Sequence, residues 1–232
     1  MNRKGSQYLM DRDRDILYFV YRYKVAIDDM LAQKVFDLER RNTNVLRVTR
    51  KLAGRNLLRR MGFGSRDTYL VITRRGCRAI GVLDRTPRPM TEQSLPSALA
   101  IAYYCVRHRE NQLTSAEFIE VYPELHRPGL NSSQYYVFDD DDDGRRMLGM
   151  FLIDRGGTAH RIKSKVRKFV KQREGLKCFI SLIKSQRVQI TVLTGLEGQQ
   201  RIVRRYLGGD SHWGVRVRTA LVPELGELLT LK

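Results

Sequence analysis

An α+β fold in two domains is predicted by three observations. Residues 11–81 carry three helical apolar patterns in succession, then two short strand-like runs. Residues 134–222 open with a hairpin pattern and go on as alternating helix-like and strand-like segments. A polar stretch with Pro87, Pro89 and Pro96 lies between the two regions. Three helices followed by a hairpin is the order of a winged helix-turn-helix. A hairpin followed by helix, strand, helix, strand, helix suits a small mixed α/β domain with helices packed on a sheet. The expected boundaries are 1–82 for the first domain, 83–96 for the linker and 97–232 for the second domain.

Residues 1–8 read as a short basic tail. Asp11 is placed to cap a helix running to about Tyr23, with Ile16, Leu17, Phe19, Val20 and Tyr23 inward. Asp13 and Asp15 suit the positive end of that helix. Ala26 to Phe36 reads as a second helix with Ile27, Met30, Leu31 and Val35 inward. Asn42-Thr43-Asn44 is a cap cluster for the third helix. Val45, Leu46, Val48, Thr49 and Leu52 recur there at helical spacing, while Arg47, Arg50 and Lys51 fall largely on the other side. Gly54 and Asn56 end it. Leu57 to Met61 and Thr68 to Ile72 flank Gly62-Phe63-Gly64-Ser65 as a hairpin, and Thr73 to Ile80 reads as a short helix ended by Gly81.

In the second region, Ser97 to Arg109 is a strongly apolar helix, suited to packing between the domains or against a second copy of the chain. Ser115 to Val121 is a short helix capped by Thr114 or Ser115. Gln134 to Phe138 and Arg146 to Arg155 form a hairpin whose tip carries Asp139 to Asp143 and Gly144. Thr158 to Glu174 is a helix with Ile162, Val166, Phe169 and Val170 on one face and basic residues, Arg173 among them, over the rest. Leu176 to Lys184 continues it beyond a break at Gly175. Arg187 to Thr194 is a buried strand, Gly198 to Leu207 a basic helix, Val215 to Val222 a strand and Pro223 to Leu229 a closing helix.

Composition narrows the function classes. The 232 residues are 42% hydrophobic, enough for real cores. The net charge of +18 favours polyanionic partners. It is spread over both halves, roughly +11 before Leu83 and roughly +7 after it. Cys77, Cys105 and Cys178 are far apart, odd in number and set in apolar runs, so they read as buried thiols of a reducing compartment. No zinc spacing, no apolar leader and no apolar run near twenty residues is present, so the expectation is a cytoplasmic protein without membrane contact.

The candidate DNA-binding residues follow from chemistry. Asn44, Arg47, Arg50 and Lys51 form the groove-facing set, because Arg pairs with guanine N7 and O6 and Asn with adenine N6 and N7. Arg59, Arg60 and Arg66 flank the hairpin and are placed to meet phosphates or a minor groove. Lys165 and Lys168 add phosphate contacts from the second domain. The aspartate run 139–143 offers oxygen ligands but lacks the spacing, central Gly and distal Glu of an EF-hand, so it reads as a solvated turn. Asp154 ends an apolar strand before a basic helix, where it reads as a helix cap or a partner of Arg155. His108, His126, His160 and His212 are scattered, and no nucleophile grouping or phosphate-binding Gly-rich loop is present. No enzyme, metal or cofactor is therefore expected.

Asp11-Arg12-Asp13-Arg14-Asp15-Ile16-Leu17, Asn56-Leu57-Leu58-Arg59-Arg60 and Thr73-Arg74-Arg75-Gly76 resemble the plasmid replication–relaxation family, as does Leu152-Ile153-Asp154-Arg155-Gly156-Gly157-Thr158. The resemblance covers roughly residues 8–222. It implies a winged helix followed by a restriction-nuclease-like half, in a protein of plasmids or integrated mobile elements. Leu152 stands where the family has Glu in a Glu-x-Asp-Arg-Gly-Thr strand end. Ser132 and Ser133 stand where an upstream acid would fall. The implied nuclease-like half is thus a degenerate scaffold. The expected function is a sequence-specific double-stranded DNA-binding accessory or regulatory factor in mobilisation, replication or transcription. Its expected partners are double-stranded DNA, a second copy in a homodimer, and a replication, transfer or transcription protein. The rival expectation is a metal-dependent DNA nuclease using Asp154 and the 139–143 run.

Overall fold

The computed structural model describes residues 9–63, 67–82, 90–130, 134–139, 144–208 and 214–230. The basic tail 1–8, most of the linker stretch (83–89), Gly64 to Arg66 at the hairpin tip, Ser132 and Ser133, Asp140 to Asp143 and His212 lie outside the described residues. The chain is mixed α+β with small sheets. Its contacts divide it into two units, residues 1–98 and 99–232.

The first unit opens with α1 (Asp11–Tyr23), α2 (Asp28–Val35) and α3 (Thr43–Gly54). The apolar periodicity of α1 buries Ile16, Leu17, Phe19, Val20 and Tyr23. Met10, not Asp11, occupies the cap position of α1. Asp11 and Asp13 sit in the first turn, where a carboxylate complements the helix dipole. The second helix is shorter than the sequence pattern predicts. Ala26 precedes it in extended backbone and exchanges both backbone hydrogen bonds with Leu70, at 3.1 and 2.7 Å. Asn42 caps α3, its side chain accepting from the backbone N–H of Asn44 and Val45. Val45, Val48, Thr49 and Leu52 form the buried stripe of α3.

Asn56 takes the left-handed conformation (φ 56°) just past α3 and turns the chain into β1 (Leu58–Phe63). β1 pairs antiparallel with β2 (Asp67–Ile72). Thr73 then caps α4 (Arg74–Ala79), whose Gly76 has no room for a side chain: a Cβ there would stand 2.2 Å from the Leu57 carbonyl oxygen.

The boundary between the units falls in the first turn of α5 (Leu95–His108). In the second unit, β3 (Asn111–Gln112) precedes α6 (Ser115–Val121), whose capping box joins Thr114 and Glu117. A 3₁₀ turn covers Pro123–Leu125. After it come β4 (Tyr135–Asp139), β5 (Arg146–Ile153), α7 (Ala159–Lys171), α8 (Lys177–Lys184), β6 (Val188–Thr194), α9 (Glu197–Leu207), β7 (Arg216–Leu221) and α10 (Pro223–Thr230). The five strands make one sheet in chain order. β3, β4 and β5 pair antiparallel; β5, β6 and β7 pair parallel. Parallel neighbours need a crossover, and α7–α8 and α9 supply the two crossovers.

One face of the sheet carries Tyr135, Leu148, Met150, Leu152, Val188, Ile190 and Val192, and these pack with apolar residues of α6 to α9 into the main core. The other face is partly polar. Tyr136 lies opposite Gly149 across the β4–β5 pair, and its ring spreads over that glycine. The Tyr136 hydroxyl stands 2.6 Å from Thr191 Oγ1 and accepts from Gln189 Nε2 at 3.0 Å. Tyr136 stacks on Phe151, with Tyr104 of α5 edge-on to the same ring. The apolar residues of α5 pack within the chain: Leu99, Ala100, Ile101, Ala102, Tyr104, Cys105 and Val106 are all buried.

Arg173 corrects a further expectation. It follows α7 as a buried residue, donating from Nε to the Tyr135 hydroxyl (3.0 Å) and from Nη1 to the Phe169 carbonyl (3.0 Å). It therefore belongs to the core and not to the basic surface. The three cysteines are free thiols, with Cys77 and Cys105 buried and Cys178 half-buried. No helix among the described residues is long and apolar enough to cross a membrane.

Candidate nucleic-acid interface

The site is built on α3. Helical geometry puts residues three and four apart on one side, so burial of Val45, Val48, Thr49 and Leu52 directs Arg47, Arg50 and Lys51 to solvent. Asn44 is half-buried in the first turn. Its Oδ1 accepts a hydrogen bond from Arg47 Nη2 at 3.0 Å. The two candidate base readers thus hold each other in place, which reduces the side-chain entropy lost on binding. No acidic residue lies on α3, and exposed Arg47, Arg50 and Lys51 make its outer face cationic.

Behind that face lies a polar network with little sign in the sequence. Asp28, at the start of α2, is 3% exposed. It accepts from Thr49 Oγ1 of α3 at 2.9 Å, and from Arg60 Nη1 and Nη2 of β1 at 2.7 and 3.2 Å. Arg60 also donates to Thr49 Oγ1 at 2.7 Å and to Thr68 Oγ1 of β2 at 2.9 Å. A forked guanidinium suits this task, because its donors reach a carboxylate and two hydroxyls at once. The network joins α2, α3 and both hairpin strands. It also corrects the expectation for Arg60, whose guanidinium is engaged inside the unit instead of being offered to phosphate. Arg59, its neighbour on the alternate side of the strand, is exposed as expected. Arg66 lies outside the described residues.

In the second unit, Lys168 is exposed on α7 and Lys165, one turn before it, is half-buried. Burial lowers the Lys165 pKa, repulsion from Arg161 adds to this, and the nearby Asp154 carboxylate opposes it.

Asp154 does not cap α7. It is 4% exposed just past β5, its N–H donates to the Leu193 carbonyl, and its Oδ1 accepts from the Gly156 N–H at 3.1 Å. That local loop takes two glycines at positive φ, Gly156 at 89° and Gly157 at 117°. Thr158 holds the cap position without a side-chain bond. Asp139, the member of the aspartate run among the described residues, pairs with Arg146 at the start of β5. Asp154 lies beyond the other end of that strand, about 26 Å away at roughly 3.3 Å per residue. Asp139 and Asp154 therefore cannot share a metal ion. Among the described residues no group of three or more His, Cys, Asp or Glu is placed to hold one.

Comparison with protein-family models, with curated proteins and with solved structures finds no match to this chain.

Proposed function

We propose that the first unit is a winged helix and that the protein is a non-enzymatic, sequence-specific double-stranded DNA-binding factor. In this reading α3 is the recognition helix and the β1–β2 hairpin is the wing. The observation that carries it is the exposed, acid-free face of α3, with Arg47 held by Asn44 and the helix tied to the hairpin through Asp28 and Arg60. A recognition helix needs base-reading side chains outward and a rigid frame behind them. Arg50 and Lys51 complete the base-facing set, while Arg59 and Lys168 meet phosphates. The resemblance of the sequence to the plasmid replication–relaxation family supports a role in mobilisation, replication or transcription of a mobile genetic element.

The test is capture of genomic and mobile-element fragments on the purified protein at moderate salt, followed by sequencing. A short enriched site is expected. Arg47→Ala and Arg50→Ala should relax one or two positions of that site, each worth about 1–3 kcal/mol of discrimination. Lys168→Ala should weaken all fragments alike. Retention of every fragment equally, with the same loss from each substitution, would overturn the reading.

A further inference from the structure

A second cationic surface lies on the second unit, where α7 and α9 pack together. Tyr206 marks their junction. Its hydroxyl is 3.4 Å from His160 Nδ1, and the Lys163 ammonium stands 5.2 Å from its ring centroid. Nearer the start of both helices, Gln199 Nε2 donates to the Gly157 carbonyl at 3.1 Å. Lys163 and Arg167 are four apart and share one side of α7; Ile202 and Tyr206 are four apart and share one side of α9. Val203 and Leu207 take the core positions of α9. That leaves Tyr206 44% exposed and Ile202 56% exposed. Arg201 and Arg205, next to them in sequence, are exposed as well. No acidic residue lies on α7, and Glu197 in the first turn is the acid of α9.

An exposed ring and an exposed aliphatic side chain amid cations have a specific chemical meaning. A polyanion is the complement of the charge. Duplex DNA meets a helix pair with phosphates and sugars and keeps its base faces stacked away, so it leaves Tyr206 and Ile202 without partners. A single strand offers phosphates and unpaired base faces together, which is how sequence-tolerant single-strand surfaces are built. We propose that the α7–α9 face binds single-stranded nucleic acid, with phosphates on Arg167, Arg201 and Arg205 and an unpaired base against Tyr206 and Ile202. This site is separate from α3 and does not rest on the duplex-reading assignment.

The test uses the full chain and fluorescence anisotropy with labelled oligo-dT of about twenty nucleotides, the length of one or two single-strand sites, beside a duplex of equal length. Tyr206→Ala is expected to lower oligo-dT affinity about tenfold with little change for the duplex, and Tyr206→Phe to retain it, because the ring does the stacking. Arg201→Gln with Arg205→Gln should lower it further and reduce the salt dependence of oligo-dT binding. Arg47→Ala should leave oligo-dT binding unchanged; its effect on the duplex reports on α3 alone. Circular dichroism checks that each variant is folded, as expected for exposed positions. The proposal is overturned if the wild-type protein fails to bind oligo-dT, or if Tyr206→Ala leaves that affinity unchanged. Equal losses for oligo-dT and duplex, or an oligo-dT loss in Arg47→Ala matching that in Tyr206→Ala, would overturn it too.

Discussion

Asp28 anchors the polar network that joins α2, α3 and the hairpin. It is buried, and its carboxylate holds Arg60 and Thr49 together. Breaking a buried ion pair by removing one partner strands the other, at a cost of roughly 3–5 kcal/mol. Arg60 retains some solvent contact, so Asp28→Ala should cost about 3 kcal/mol in urea unfolding of the first-unit transition. Asp28→Asn keeps the shape and part of the hydrogen bonding and should cost less. An Asp28→Ala protein as stable as wild type would show that the network is not what ties the hairpin to α3. Three buried tyrosines of the second unit set a second expectation. Burial raises the pKa of Tyr104, Tyr135 and Tyr136 above the ordinary value of 10.0, with neighbouring charges adjusting each. Above that value the unfolded chain releases protons that the folded chain keeps. Stability of the second unit is therefore fully present below pH 10 and falls as pH rises beyond it. Tyrosinate absorbance from these three should appear together with unfolding. Ionisation of these three with no unfolding would contradict this.

At the scale of elements, the β4–β5 pair depends on Gly149. A Cβ there would lie 2.1 Å from two carbons of the Tyr136 ring, which is itself pinned by Thr191, Gln189 and Phe151. Forcing an extra methyl into such packing costs roughly 1–3 kcal/mol, and the fixed ring puts this site at the upper end. Gly149→Ala should lower the unfolding midpoint of the second unit accordingly. Replacing the ring in a Gly149→Ala, Tyr136→Leu double variant should show a favourable coupling between the two changes. Strict additivity would mean that the ring and the glycine do not act together. The apolar stripe of α3 and its Asn42 cap were legible because both depend on residues within four positions of each other. The shortening of α2 was not legible, because Ala26 leaves the helical pattern to pair with Leu70, 44 residues away.

For the whole molecule, the decisive quantity is the net charge of +18. If about six phosphates are neutralised, affinity for non-specific DNA should fall on the order of a thousandfold between about 50 and 200 mM salt. A plot of log affinity against log salt measures the number of phosphates engaged. A flat line would mean that the charge is solvated and takes no part in binding.

The sequence by itself determined the local structure: the order of helices and strands apart from the short β3 and the 3₁₀ turn, the capping of α3 and α6, the cationic outer face of α3 and the mixed α+β class. These follow from periodicity, capping chemistry and charge, which act between near neighbours in the chain. The tertiary structure decided which charges are spoken for. It placed Arg60 on Asp28 and Arg173 beneath Tyr135, both of which read as surface cations in the sequence. It set Asp139 and Asp154 at opposite ends of β5, and it brought Tyr206 beside His160 and Lys163. Arg60 with Asp28, Arg173 with Tyr135 and Tyr206 with His160 each join elements that packing brings together. Residue spacing along the chain carries no record of which long side chains then meet.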